Sequence, residues 1–308
     1  MPQDTPGIHH VTAIASDPGR NYAFYTGTLG LRLVKRSVNQ DDVSVYHLFY
    51  ADHEGTPGTS MTVFPYPDAQ PGQIGTGQVS TVSFLVPEGS IDYWYDRLED
   101  AGADPDEPRD RFGDTVVPFV DPDGLSLELV GRSNVPPANL PDAPVPDAHA
   151  IRGFFGVELS LTSADPTGNL LRTMGYRETD REGTRRRYVA DGELGYVVDI
   201  CEDPQAPRGR PGAGTVHHVA FRVHEYEQSE WRDVLIEAGL RPTEIIDRKW
   251  FESVYVREHG TVLFEFATES PGYTVDEALA ELGERLVVPE WLEDRREEIE
   301  ANLPALSP

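Results

Sequence analysis

The chain has 308 residues, enough for about two domains with cores of their own. With 53 acidic against 26 basic residues and a formal charge of −27, it lacks the basic surface that nucleic-acid phosphates require, which excludes that class of partner. One cysteine, Cys201, rules out a disulfide framework or a thiolate metal cluster, and no apolar run reaches the roughly 18 residues of a membrane span.

The polar amino terminus reaches a strand-like segment by Ile8, leaving no room for a signal peptide, so the expected location is cytoplasmic. Only Lys35 and Lys249 are lysines, and the other basic residues are arginine. That balance resembles proteins of salt-loving organisms, in which screening shortens the repulsion between carboxylates. It reports habitat, not activity.

Four units of one design follow, each predicted as a strand, a helix and several further strands. The first has a strand over 9–15, a helix over 19–29, and strands at 33–34, 45–50 and 61–64. The second has strands at 79–86, 116–119 and 125–130 around a helix at 91–101. A Pro-rich stretch over 133–150 then reads as a linker. The third unit has strands at 155–161, 186–190 and 195–201 with a helix at 167–174, and the fourth repeats the second with its helix at 227–238. Two helices are predicted in the tail, over 276–286 and 290–302, with Pro289 at the start of the second and Pro304 just past its end. The expected organisation is an α+β fold of two tandem domains, 7–132 and 151–268, each of two βαβββ modules forming a curved mixed sheet, with a helical tail over 269–308.

Residues 79–132 and 216–269 align at an offset of 137 positions without a gap. Trp94 lies over Trp231, Leu98 over Leu235, Asp110-Arg111 over Asp247-Arg248, and Glu128 over Glu265. Only the second copy adds a histidine pair, His217-His218, and a like pair, His9-His10, opens the chain. The second unit has Thr81 where the histidine would stand, and the third has Phe155-Gly156. A single site between the first and fourth units is therefore expected.

Side chains alternate across a strand, so the two members of a pair should face opposite sides. His217 with Val219, Phe221 and Val223, and His9 with Val11, Ala13 and Ala15, form apolar sets suited to packing under a helix. His10 and His218 are left on the other face, together with Glu265 opposite Phe264 and Phe266, and Tyr255 opposite Val254 and Val256. Two imidazoles and one carboxylate with open positions are the ligand set of a non-haem Fe(II) oxygenase. A lone strand histidine is more often structural, and His47, His53, His149, His224 and His259, which lack a repeated context, are read so. The cluster Arg185-Arg186-Arg187 is expected to balance surface charge rather than to draw in substrate.

The motifs Gly7-Ile-His-His-Val-Thr, Leu29-Gly-Leu-Arg-Leu-Val-Lys, Gly55-Thr-Pro-Gly-Thr, Val216-His-His-Val-Ala-Phe, Phe251-Glu-Ser-Val-Tyr, Leu263-Phe-Glu and Pro289-Glu-Trp-Leu span nearly the whole chain. Together they resemble the vicinal oxygen chelate superfamily, which contains glyoxalases, extradiol dioxygenases and bleomycin-resistance proteins, and within it the dioxygenases that open hydroquinones. The resemblance implies Fe(II), or alternatively Mn(II), on His10, His218 and Glu265. It also implies supporting roles for His9, Thr12, His217, Arg248 and Tyr255. Tyr255 is expected to hydrogen-bond or deliver a proton to the reacting oxygens, with Arg248 assisting. The implied partners are a small hydroquinone or catechol and O2. The rivals are a glyoxalase-like isomerase or thiol transferase with a redox-inert metal, and a drug- or quinone-binding resistance protein. The tail is expected to cover the site or an interface of a homo-oligomer.

Overall fold

The computed structural model describes residues 2–141 and 143–306, so residue 142 of the expected linker and 307–308 of the expected tail lie outside the description. Four modules are present. The first comprises β1 (Ile8–Ala15), α1 (Pro18–Tyr22), β2 (Arg32–Asn39), β3 (Asp42–Ala51) and β4 (Ser60–Pro65). The second comprises β5 (Gln78–Pro87), α2 (Ile91–Asp100), β6 (Arg109–Arg111), β7 (Asp114–Val120) and β8 (Ser126–Arg132). The third runs through β9 (Gly153–Leu161), α3 (Asp165–Thr173), β10 (Arg177–Glu182), β11 (Arg185–Val189) and β12 (Val197–Glu202). The fourth runs through β13 (Thr215–Val223), α4 (Gln228–Glu237), β14 (Ile246–Asp247), β15 (Glu252–Arg257) and β16 (Leu263–Thr268).

These strands form two curled mixed sheets of eight strands each, in the orders β14-β15-β16-β13-β1-β4-β3-β2 and β10-β11-β12-β9-β5-β8-β7-β6. The first sheet joins the first and fourth modules along the antiparallel pair β1 and β13, and the second joins the second and third along β5 and β9. Each half of the chain, 7–132 and 151–268, thus gives one module to each sheet. The Pro-rich stretch between the halves buries Leu140, Val145 and Ala150 along its path.

Helices pack on one face of the sheets because their apolar residues recur at helical spacing. In α2 these are Ile91, Trp94 and Leu98, and in α4 Trp231 and Leu235, all in one continuous core with the strand residues that face them. A smaller apolar cluster lies elsewhere and includes Phe49, Ala220, Trp250, Phe251, Tyr273 and Leu282.

The tail departs from expectation. Residues 276–286 form no α-helix, only a 3-10 turn at Leu279–Glu281 that follows another at Tyr273–Val275, and the α5 helix (Arg296–Asn302) follows a 3-10 stretch, Glu290–Arg295. Two features explain this. Lys35, fully buried in β2, draws in both Asp276 (2.6 Å) and Glu277, besides the Tyr273 carbonyl at 2.9 Å, and an α-helix cannot turn adjacent side chains onto one point. Gly283, at φ +79°, lies so close to β2 that a Cβ there would be 2.0 Å from the Leu33 carbonyl oxygen. The tail is a strap bound to the first sheet, with Val287 donating its N–H to the Arg36 carbonyl. No helix among the described residues is long and apolar enough to cross a membrane.

Candidate metal centre

The site sits where β1 meets β13, and its geometry follows from two irregularities in that pairing. Ile8 faces Phe221 and His10 faces Ala220, so His9 is left over; Thr12 faces His218 and Ala13 faces Val216, so His217 is left over. An extra residue in a ladder re-aims its side chain. The expectation that His9 and His217 pack beneath a helix is therefore corrected. Each stands beside its neighbour, with Nδ1 to Nδ1 distances of 2.9 Å for His9 and His10 and 2.7 Å for His217 and His218. His9 is buried edge-on against Phe251, while His217 is exposed at the cavity wall.

His10, His218 and Glu265 are the one group of this kind among the described residues whose ligand atoms converge. Their Nε2 atoms are 3.2 Å apart, and Glu265 Oε2 lies 3.2 Å from that of His10 and 2.9 Å from that of His218. Three cis positions of an octahedron with bonds of ~2.1 Å are separated by about 3.0 Å, so the spacing suits a metal held on one face with the other face open. All three side chains are buried, and Glu265 Oε2 accepts no hydrogen bond of proper geometry. Its other oxygen takes the Ser253 hydroxyl at 2.5 Å, which fixes the carboxylate. With Nε2 as ligand atom, Nδ1 of each imidazole carries the proton and donates it to the adjacent histidine, the outer partner that metal-bound histidines require. The donor set fits a divalent metal.

The local electrostatics agree. Burial first, then His10, lowers the pKa of His9 well below its ordinary value. His9 therefore remains a neutral acceptor for the Nδ1 proton of His10. Burial alone would raise Glu265, but the imidazoles, His10 foremost, hold it well below the usual carboxylate range.

A cavity of about 480 Å³ opens from His10 and His218. Phe64, Trp250, Phe251 and Leu263 give it apolar walls, and Asp41 and Asp42 are exposed along its lining. Tyr255 lies edge-on to His218 with ring centroids 5.7 Å apart, and Arg248 Nε donates to its hydroxyl oxygen at 3.1 Å. Burial, then the charge of Glu265, raises the Tyr255 pKa, so the phenol keeps its proton and acts as a donor. Arg248 is held by Asp41 at 3.1 Å and by Gln40, whose amide donates to the Arg248 carbonyl. Thr12 Oγ1 is 2.8 Å from His218 Nε2 and 2.7 Å from Thr62 Oγ1. All eight residues singled out in the sequence gather here.

Sequence reading missed His47, Ser253 and the wall residues Trp250 and Phe251. His47 lines the cavity and contacts Thr62 Oγ1 through Nε2 at 3.0 Å, while burial and the nearby imidazoles lower its pKa well below the ordinary value. Strand alternation would have revealed it, since His47 and Phe49 are two apart on β3 and their rings are in contact.

The curled sheets and the His-His-Glu centre define a class. The chain belongs to the Glyoxalase/Bleomycin resistance protein/Dioxygenase superfamily, whose model matches residues 7–129. It is 42% identical over 305 residues to MhqO of Bacillus subtilis (strain 168), which bears the name of a ring-cleaving dioxygenase, covering 98% of this chain and 97% of that one. It is 33% identical over 310 residues to the chlorohydroquinone/hydroquinone 1,2-dioxygenase of Sphingobium indicum, covering 97% and 96%. The crystal structure of a protein described as a dioxygenase from Bacillus subtilis superposes with a TM-score of 0.95 at 41% identity, over 99% of this chain and 98% of the other. Glyoxalase I of Zea mays shares the fold alone, with a TM-score of 0.63 at 14% identity over 86% of this chain and 92% of that one.

Proposed function

We propose that the protein is an Fe(II)-dependent dioxygenase that inserts O2 into a hydroquinone-type ring, with catechols as the neighbouring substrate class and Mn(II) as the alternative metal. The observation that carries this reading is the convergence of His10, His218 and Glu265 at 2.9 to 3.2 Å in a cavity that fits a single aromatic ring. The names of the full-length relatives support it.

When bound, iron supplies redox chemistry and a Lewis acid that lowers the pKa of a phenol. The chain's own residues do the rest. His9 and His217 fix the tautomer and orientation of the ligand imidazoles. Phe64 and Phe251 flank the ring and exclude water. Tyr255, protonated and with its oxygen engaged by Arg248, directs its O–H toward oxygen atoms reacting beside His218. Thr12 Oγ1, within 2.8 Å of His218 Nε2, offers a second hydroxyl there.

The test is O2 uptake by anaerobically purified, Fe(II)-loaded protein with a panel of hydroquinones and catechols in high salt. Uptake matched to ring-opened product, and lost in Glu265→Ala, is expected. No uptake despite one bound iron per chain would overturn the proposal.

A further inference from the structure

A second cavity, of about 310 Å³, shares His217, His218 and Leu263 with the first as lining. It is bordered by two chain crossings that pair with each other, Thr76 with Arg208 and Gln73 with Arg210. The packing there is close: a Cβ on Gly77, which lines the cavity, would lie 2.4 Å from Thr261 Oγ1. Its charge is unlike the rest of the molecule. In a chain of net charge −27, its lining contains no carboxylate and two arginines, Arg208 and Arg257. Neither arginine makes an ion pair among the described residues, and Arg257 donates only to the Thr261 carbonyl at 3.1 Å. The first cavity differs, since Asp41 and Asp42 line it and Asp41 neutralises its arginine.

We propose that this second cavity is a carboxylate subsite, in which Arg208 and Arg257 receive the acid group made by ring opening. The inference rests on the proposed ring-cleaving reaction. In that reaction one ring C–C bond and the O–O bond break. The carbon bearing the hydroxyl ends as a carboxylic acid and its neighbour as an aldehyde; both oxygen atoms are retained, and no outside electron donor is used. At neutral pH the acid gives its proton to solvent, so an uncharged substrate becomes an anion beside His218. Asp41 and Asp42 repel that anion on one side, and two arginines without carboxylate partners attract it on the other. The neutral ring is thereby assigned to the first cavity and the acid end of the product to the second, the two sharing His217, His218 and Leu263 as lining.

The same carboxylate chemistry could come from a ring-carboxylated substrate, so two probes are needed. The first is cis,cis-muconate, a ring-opened dicarboxylate, titrated calorimetrically at low salt into metal-loaded protein without oxygen. Replacing both arginines, Arg208→Gln with Arg257→Gln, should weaken its binding about 10-fold or more, and lysine at both positions should restore most of it. Arg109→Gln with Arg177→Gln removes the same charge from exposed edge positions of the other sheet and should change binding less than about twofold. No loss in the first pair, or an equal loss in both, overturns the proposal. The second probe is 2,5-dihydroxybenzoate compared with hydroquinone. A loss confined to muconate supports a product subsite, whereas an equal loss for the carboxylated ring reassigns the arginines to substrate and overturns it. Failure of the dioxygenase reading would appear separately, as absent O2 uptake with muconate binding still dependent on the two arginines.

Discussion

Glu265 and Glu128 occupy equivalent places in the two sheets, 137 residues apart, and each lies on the strand beside a bulged central pair. Around Glu265 stand the Nε2 atoms of two histidines. Around Glu128 stand Arg111 Nη1 at 2.6 Å and Ser83 Oγ at 2.6 Å. Arg111 is the counterpart of Arg248, which in the first sheet turns away to Tyr255 and Asp41. A buried carboxylate needs a neutralising cation, and the second sheet takes it from its own chain while the first presents ligands for a metal. The second sheet is also closed to a full ligand set. Thr81 replaces His218, and a Cβ at Gly156, in the place of His10, would lie 2.1 Å from the Val197 carbonyl oxygen.

The largest expected effect separates the two glutamates. Glu265→Ala should abolish metal binding, by elemental analysis, and reduce O2 uptake by about a thousandfold or more. Glu128→Ala should leave the metal content unchanged yet cost about 3–5 kcal/mol in urea unfolding, because Arg111 remains buried without its partner. If Glu128→Ala lost the metal, the two sites would not be independent. Replacing both partners, Arg111→Met with Glu128→Leu, should recover most of that loss, since an apolar pair of similar volume is often neutral relative to a buried ion pair.

Tyr255→Phe should lower kcat about 10- to 100-fold with metal content intact. Its counterpart is Pro118, so the second sheet has no such donor. The last effect is on stability alone and concerns the turn acids. Asp121 accepts two backbone N–H groups and the Tyr25 hydroxyl; Glu258, 137 residues later, likewise accepts two N–H groups and the Thr167 hydroxyl. Burial raises the Asp121 pKa from 3.8 to about 6. The folded state therefore binds this proton more tightly than the unfolded chain, and its stabilising effect, present below pH 4, is lost as pH rises through 6. Roughly 3 kcal/mol of pH dependence should follow, and Asp121→Asn, which keeps the acceptor oxygen, should flatten unfolding curves across that window.

Much of this was legible in the sequence. The gapless repeat exposed the duplicated scaffold, and alternation selected His10, His218 and Glu265 from among nine histidines and many acids. Of the three arginines read as surface charge balance, Arg185 pairs with Glu158 and Arg186 with Asp165, whereas Arg187 departs from that reading: it is buried and pairs with the buried Asp114 and Asp199. The positions of His9 and His217 were not legible, because a bulge is a property of pairing between strands some 200 residues apart. The tail helix at 276–286 failed for a similar reason: its local pattern was overridden by Lys35, a partner about 240 residues away.

The module pairing also sets an order of events during synthesis. Every strand of the second sheet lies between residues 78 and 202, so that sheet can close while the chain is still being made. The first module, finished at Pro65, must wait some 150 residues for β13 to begin. Until then β1 has an unpaired edge and His10 lacks His218 and Glu265, a long-range closure of the kind that is slow to form. The metal centre is thus a seam between the first module made and the last, closed only when β13 and β16 are both present.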